Sequence, residues 1–124
     1  MSISEKAVSL HGEGNNCAQS IMCACKDITG IDEKTASAIS SGFGGGLKSG
    51  EICGCISGAV MVIGKVLADK GQDDKTAALT KQLIADFRDE YGVIRCLDLK
   101  RSGHPCDELI AFASDWLEKT INNL

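Results

Sequence analysis

The chain has 124 residues, of which 44% are hydrophobic and 24% are charged, a mixture typical of one globular domain spanning residues 1–124. Its net charge of -4 argues against a surface that binds nucleic acid or an anionic membrane. The longest apolar run, Ile52 to Ala68, contains Lys65 and several glycines. We therefore predict a buried helix there rather than a membrane span, and we expect no membrane insertion.

The cysteine content is the unusual feature of the composition. The first residues, Met1 to Lys6, lack the basic start and apolar core of a secretion signal, which predicts a cytoplasmic protein. In a reducing compartment, an odd number of cysteines is not expected to form a structural disulfide set. The sequence has no C-x-x-C, so it carries no thioredoxin-type pair, zinc knuckle or haem-attachment motif. The seven cysteines are Cys17, Cys23, Cys25, Cys53, Cys55, Cys96 and Cys106.

Capping signals predict the first helices. Residues 2–5 have the S-x-x-E form of a capping box and predict a helix to about His11. Asn16 is a suitable N-cap for a second helix that extends to Gly30 and has Cys17 in its first turn. Asp32 predicts the start of a third helix, which continues to about residue 41.

A glycine-dense loop, Gly42 to Gly46, ends the third predicted helix. Glycine reaches backbone conformations that other residues avoid, so this loop allows the main chain to pass very close to another group. The loop lacks GxGxxG, GKS and GKT, and therefore matches neither the dinucleotide nor the P-loop fingerprint. We expect contacts to a cofactor at Gly44, Gly45, Gly46 and, in the following helix, Gly54.

The next predicted helix runs from about Glu51 to Lys70 and is apolar on nearly every face, which predicts the most buried element of the fold. Gly54 and Gly58 are four residues apart. On a helix they form one face without side chains, which a second helix or a cofactor can approach closely.

The carboxyl-terminal half is also predicted to be helical. Asp73 or Asp74 is expected to cap a helix that Gly92 ends. Val93 to Leu99 fits either a short strand or a helical turn, and we predict a helix because no partner strand is apparent. Pro105 is well placed to open the last helix. The sequence therefore predicts an all-α, single-domain bundle of five or six helices around a central glycine-containing helix.

Four cysteines are predicted to lie at or near helix starts. The unpaired backbone N–H groups and the helix dipole there favour the thiolate, which is the reactive and metal-binding form. Random core cysteines would not be expected to collect at such positions. We therefore predict that Cys17, Cys53, Cys96 and Cys106 converge on one site, although their spacing matches no short metal motif.

The other three cysteines have different interpretations. Cys25 lies on the apolar stripe of the second helix and Cys23 lies beside it, so both are predicted to be packing residues. Cys55 follows Cys53 by two residues. On a regular helix these two side chains point to nearly opposite sides and cannot bind one metal together unless the turn is irregular.

A family resemblance adds to this interpretation. The chain resembles the C_GCAxxG_C_C family of redox-active proteins in segments that occur in order, namely Asn16 to Gln19, Gly42 to Gly46, Cys53 to Gly58, Tyr91-Gly92 with Cys96, and Cys106. The family's C-G-A-x-x-G element maps onto Cys53 to Gly58, with Cys55 where alanine is usual. This difference adds a fifth thiol to the site or is a size-conserving replacement.

The resemblance implies a redox role for the cysteines. The family's four cysteines map onto Cys17, Cys53, Cys96 and Cys106, the same four that helix position selects. The family is also similar to the helical body of split-Soret cytochromes, for which an iron–sulfur centre has been proposed. Because this chain lacks their haem-attachment motif, only the non-haem part of that likeness applies to it.

Three functions are compatible with these four thiols. The first is an iron–sulfur cluster on Cys17, Cys53, Cys96 and Cys106 that serves electron transfer or redox sensing. The second is a thiol–disulfide oxidoreductase, in which Cys96 and Cys106 would be the first pair to consider. The third is a structural four-cysteine zinc site in a non-catalytic accessory protein. A helical domain whose cysteines are merely buried is the alternative without a site.

The expected partners follow from a redox role. We expect a redox partner protein or a small-molecule electron carrier, and the sequence is also compatible with a homodimer. It leaves open whether the protein is an enzyme.

Overall fold

A computed structural model describes residues 1–124 and contains eight α-helices. They are α1 (Ile3–Gly12), α2 (Cys17–Ala24), α3 (Lys26–Thr29), α4 (Glu33–Ser40), α5 (Gly54–Asp69), α6 (Thr76–Tyr91), α7 (Cys96–Arg101) and α8 (Cys106–Asn122). The chain forms no sheet, and its extended pairing is limited to one isolated antiparallel bridge between Ile52 and Arg95. The all-α class is therefore confirmed. None of the helices combines the length and the apolar character that crossing a lipid bilayer requires.

The helix count is eight rather than five or six. The second predicted helix is divided into α2 and α3 because Cys25, with φ -100° and ψ 14°, departs from helical geometry between them. The predicted helix over residues 93–99 is partly wrong, since α7 begins only at Cys96. Residues before α7 are extended instead and pair with the segment that precedes α5.

This extended pairing also explains why α5 begins at Gly54 rather than near Glu51. The Cys53 N–H donates to the Ile94 carbonyl oxygen at 2.9 Å, and the Cys96 N–H donates to the Glu51 carbonyl oxygen at 2.6 Å. The two paired segments lie about 40 residues apart in the sequence, so no local pattern indicates that they meet. As a result, the backbones of Cys53 and Cys96 are held on neighbouring segments.

Local capping fixes the start of the first two helices as the sequence predicts. The Glu5 N–H donates to Ser2 Oγ at 3.1 Å, and the Ser2 N–H donates to Glu5 Oε1 at 3.1 Å. Asn16 and Gln19 form the same reciprocal pair at 2.9 and 3.0 Å. Each cap satisfies backbone donors that a helix start leaves unpaired. The second one makes Cys17 the first residue of α2.

The start of α6 differs from the prediction. Asp73 lies in a short 3₁₀ turn that ends at Lys75, and Lys75 is the N-cap of α6 without a capping side chain. The prediction that Asp73 or Asp74 caps this helix is therefore wrong, because the 3₁₀ turn moves the α-helical start to Thr76. Gly92 ends α6 in the left-handed conformation with φ 79°, as predicted.

Helix α5 contacts α2, α6 and α8. Its only exposed residues are Ala68 and Asp69 at the carboxyl end. A Cβ atom at Gly58 would lie 3.1 Å from the Ala18 carbonyl oxygen and 3.3 Å from Ile21 Cβ. The absence of a side chain at Gly58 thus allows α2 to approach α5 closely and brings the amino-terminal ends of both helices together.

Candidate functional site

Four cysteines lie at the starts of four helices. Cys17, Cys96 and Cys106 are the first residues of α2, α7 and α8, and Cys53 is the residue immediately before α5. These positions agree with the helix-start placement that the sequence predicts.

These four cysteines and Cys55 line one cavity of about 120 Å³. The structure thus brings together five thiols that the sequence separates by up to 89 positions (106 - 17). The other lining residues are His11, Asn16, Gly45, Leu99, Lys100 and Leu109. Cys23 and Cys25 do not line this cavity.

Cys55 lines the same cavity as Cys17 and Cys53, and hydrogen bonding with its thiol lowers the pKa of both. The turn at Cys53 is irregular, which is the exception to helical spacing that the sequence leaves open. Cys53 has φ -52° and ψ 132°, so it lies outside the helix and the helical spacing does not apply to it. The three thiols are buried, with exposed fractions of 9% for Cys17, 3% for Cys53 and 1% for Cys55.

Hydrogen bonding distributes the protons unequally among these three thiols. The Cys55 thiol lowers the pKa of Cys17 to about 6, although burial acts in the opposite direction, and the Gly45 and Ala18 backbones lower it further. The same thiol lowers the pKa of Cys53. The pKa of Cys55 is raised because its proton is shared with these two neighbours and because the group is buried. At neutral pH, Cys17 is therefore a thiolate and Cys55 keeps its proton.

Cys96 and Cys106 have a different environment. Both are partly exposed, and burial nevertheless raises the pKa of each. The Lys100 ammonium group opposes that rise at both positions. These two thiols are thus more accessible than the buried three, and they are protonated at neutral pH.

Cys23 and Cys25 lie among packing residues outside the cavity. Cys25 is fully buried, and desolvation raises its pKa to about 12. The Cys23 Sγ donates to the Glu33 carbonyl oxygen at 3.7 Å.

The predicted cofactor-contact glycines fall into two groups. Gly45 lines the cavity, and a Cβ atom at Gly54 would overlap Cys17 Sγ, so both lie against the thiols. A Cβ atom at Gly44 would lie 2.5 Å from the Asn16 side chain, and one at Gly46 would lie 2.5 Å from the backbone of Glu51. Gly44 and Gly46 are absent from the cavity lining, and their close packing against Asn16 and Glu51 explains the need for glycine there.

Two polar residues of the cavity were not selected from the sequence. His11 lies in the last turn of α1, and its Nδ1 is 2.7 Å from Asp107 Oδ1 across 96 residues of sequence. No sequence signal indicates that contact. Lys100 follows Cys96 by four residues, and this spacing on a helix is a signal that could have identified it. His104 does not line the cavity, and its Nδ1 lies 3.0 Å from Glu108 Oε2.

The predicted metal ligands share a cavity without surrounding a common position. No group of three or more His, Cys, Asp or Glu side chains in the structure has an arrangement that could hold a metal ion.

The low pKa of Cys17 predicts an unusual pH dependence of its reactivity. Because only the thiolate is alkylated, the rate with iodoacetamide should be constant above about pH 7 and fall as pH decreases through about 6. At pH 5, one unit below this pKa, only about a tenth of the thiol is ionised, so the rate should be about tenfold lower than above pH 7. Timed quenching followed by peptide mass spectrometry measures this rate at each cysteine. Cys25 serves as the internal control and should stay unmodified, whereas a Cys17 rate that rises only above pH 8 would contradict the assignment.

Comparison with known proteins identifies one family. The model of the family described as "Putative redox-active protein (C_GCAxxG_C_C)" matches residues 15–120, which include all seven cysteines. No curated protein and no solved structure matches the chain.

Proposed function

The chain belongs to the C_GCAxxG_C_C family of redox-active proteins, and we propose that its cavity carries out two-electron thiol–disulfide chemistry at Cys17 and Cys53. The observation that carries this proposal is that Cys17, Cys53 and Cys55 line one cavity, in which hydrogen bonding with the Cys55 thiol lowers the pKa of both other cysteines. Both residues line this cavity, and the negative charge of Cys17 opposes the lowering of the Cys53 pKa, which supports their proximity. The Cys17 thiolate supplies the nucleophile that such chemistry requires.

The reaction follows from the protonation states. The Cys17 thiolate attacks the electrophilic atom of a two-electron acceptor and forms a covalent bond to it, while the acceptor's leaving group departs. Cys53, whose pKa is lowered, then gives up its proton and attacks Cys17 Sγ, which displaces the remaining part of the acceptor and completes a disulfide. Two electrons have then passed from the two sulfurs to the acceptor. Cys55 keeps its proton throughout and acts as a positioning residue for both thiolates.

Replacing Cys55 with alanine tests this positioning role. Cys55→Ala should raise the pKa of Cys17 toward an ordinary cysteine value and slow its alkylation at pH 7 by up to roughly 30-fold, because less thiolate is present. The matched variant Cys55→Ser keeps a hydrogen-bond donor and should stay within about threefold of the wild-type rate. Peptide-resolved pH profiles of iodoacetamide labelling provide the measurement. Equal profiles for Cys55→Ala and the wild type would show that Cys55 does not control Cys17.

An iron–sulfur protein is the second candidate function. The observation that favours it is that Cys17, Cys53, Cys96 and Cys106 come from four separate helix starts and line the same cavity. Cysteine thiolates are the usual ligands of iron–sulfur clusters, so these four residues would be the donors, but their side chains would have to move to surround a common position. A bound cluster would supply one-electron transfer. The same four thiols would be the ligands of a structural zinc ion.

Purification without oxygen, followed by metal analysis and an absorption spectrum, separates these candidates. The thiol–disulfide proposal predicts a colourless protein without stoichiometric metal, which loses two alkylatable thiols in a single two-electron transition across a series of glutathione redox buffers. Visible absorption with stoichiometric iron and sulfide would support the cluster and contradict the proposal. Stoichiometric zinc without thiol loss would favour the structural site.

A further inference from the structure

We infer that the cavity contains two redox pairs with different partners: an inner pair, Cys17 and Cys53, that reduces a small oxidant of the hydroperoxide class, and an outer pair, Cys96 and Cys106, that exchanges with a dithiol protein. This inference rests on the proposed function and assigns its oxidant and its reductant. In this scheme, electrons pass from the outer pair to the inner pair, so all four helix-start cysteines take part in the reaction.

The first argument is the difference in accessibility between the pairs. Cys17 and Cys53 are buried, whereas Cys96 and Cys106 are partly exposed, and all four line the same cavity. Thiol–disulfide exchange requires an attacking sulfur to reach the disulfide sulfur directly. A folded partner can therefore reach the outer pair without any opening of the bundle, but it cannot reach the inner pair.

The second argument is the size and lining of the cavity. About 120 Å³ corresponds to only about four water volumes of about 30 Å³ each. Hydrogen peroxide or a small alkyl hydroperoxide fits this space, and a peptide disulfide does not. Lys100 lines the cavity and carries the positive charge that stabilises a departing oxyanion, and Asn16 adds a polar side chain.

The third argument is the backbone contact between the pairs. The hydrogen bonds from Cys53 to Ile94 and from Cys96 to Glu51 hold Cys53 and Cys96 on directly paired segments. The Cys96 and Cys106 thiols start consecutive helices and face the same cavity. This arrangement provides a short route from the inner disulfide to the outer thiols.

The cavity also has exposed apolar residues close to the outer pair. Leu97 follows Cys96 directly and is exposed. Leu47, in the segment Gly46–Gly50, is exposed as well. A Cβ atom placed on Gly50, at the end of this segment, would lie 3.1 Å from Leu97 Cβ, so the segment packs against the start of α7. Exposed leucines beside accessible thiols suit contact with a protein rather than with a small molecule.

The inner reaction balances as follows. The Cys17 thiolate attacks the terminal oxygen of the hydroperoxide, the O–O bond breaks, and one proton gives an alcohol or water and the Cys17 sulfenic acid. The Cys53 thiolate then attacks Cys17 Sγ, and hydroxide leaves with a second proton as water. The product is the Cys17–Cys53 disulfide.

The outer reactions regenerate the inner thiolates. Cys96 loses its proton and attacks Cys53 Sγ, which releases the Cys17 thiolate. Cys106 then loses its proton and attacks Cys96 Sγ, which releases the Cys53 thiolate and leaves a Cys96–Cys106 disulfide. The dithiol protein reduces this outer disulfide by two further exchanges and becomes a disulfide itself. Two electrons thus pass from the dithiol protein to the hydroperoxide.

The test compares wild-type protein with the double variant Cys96→Ser/Cys106→Ser, using hydrogen peroxide as oxidant and thioredoxin, its reductase and NADPH as reductant. In the variant, one equivalent of hydrogen peroxide should still convert the Cys17 and Cys53 thiols to a disulfide, since both sulfurs of the inner pair are present. Its reduction by thioredoxin should be at least about 20-fold slower, because the accessible sulfurs are absent. The single variant Cys96→Ser should show the same slow reduction, because Cys96 makes the first attack on the inner disulfide, and it keeps the test valid if the double variant does not fold.

A trapping experiment locates the contact. Thioredoxin without its resolving cysteine should form a mixed disulfide with Cys96 or Cys106 of the oxidised wild type. Trapping on Cys17 or Cys53, an unchanged reduction rate in the double variant, or no reduction of the wild type would each overturn the inference. If Cys17→Ser reacts with hydrogen peroxide as fast as the wild type, the proposed function itself fails, so the two failures are distinguishable.

Discussion

Serine in place of Cys17 is expected to abolish formation of the inner disulfide and to lower the rate of two-electron oxidation by at least about 100-fold. The reason is that a serine hydroxyl is not ionised near neutral pH and has no sulfur to couple with Cys53. The measurement is the loss of alkylatable thiols against time after addition of one equivalent of hydrogen peroxide. The remaining rate should equal the sum of slow reactions at the other cysteines.

The matched control for this variant is Cys23→Ser. Cys23 is buried, lies outside the cavity and donates to the Glu33 carbonyl oxygen, a bond that a serine hydroxyl can also form. This variant should keep the wild-type oxidation rate and lose only about 1–2 kcal/mol of unfolding free energy. If both variants lost the same activity, the effect would come from general destabilisation rather than from the Cys17 thiolate.

Leucine in place of Gly58 is expected to have the largest effect on stability. The existing distances from a Cβ position at Gly58 to α2, 3.1 to 3.3 Å, leave no room for a branched side chain. Overpacking of this kind should lower the free energy of unfolding by about 3 kcal/mol. That loss corresponds to a fall in Tm of roughly 10 °C for a domain of this size, which a thermal melt followed by circular dichroism measures.

Gly64→Leu provides a closely matched control on the same helix. A Cβ atom at Gly64 has no heavy atom within 4 Å, so the same substitution meets open space there. Because leucine is a better helix former than glycine, this variant should keep or raise the wild-type Tm. Equal melting temperatures for Gly58→Leu and Gly64→Leu would show that α2 and α5 are not in close contact at Gly58.

Features set by neighbouring residues could be predicted from the sequence. The caps at Ser2 and Asn16 depend on partners three residues away, and Gly92 ends a helix through its own φ. The placement of Cys17 and Cys106 at helix starts follows from such local signals, since Asn16 and Pro105 directly precede them. For this reason the positions of Cys17 and Cys106 at helix starts are predictable from the sequence.

Features that depend on long-range pairing could not be predicted. The bridge between Ile52 and Arg95 shortens α5, delays α7 and places Cys53 outside the helix. Because Cys53 lies outside the helix, its side chain and that of Cys55 can face the same cavity, which two residues at this spacing on a regular helix could not do. The contact between His11 and Asp107 likewise joins two helices that are distant in sequence. The role of Cys55 therefore became visible only with the tertiary structure.

Disulfide mapping of the Cys96→Ser/Cys106→Ser protein after metal removal and oxidation by hydrogen peroxide tests the central claim most directly. Without the Cys96 and Cys106 sulfurs the inner disulfide cannot exchange with the outer pair, so the Cys17–Cys53 disulfide should accumulate. The account predicts one linkage between the tryptic peptides that contain Cys17 and Cys53, with fragmentation between Cys17 and Cys23 and between Cys53 and Cys55 assigning the bond to Cys17 and Cys53. Five cysteines that remain alkylatable after oxidation, or a linkage that omits Cys17, would contradict it.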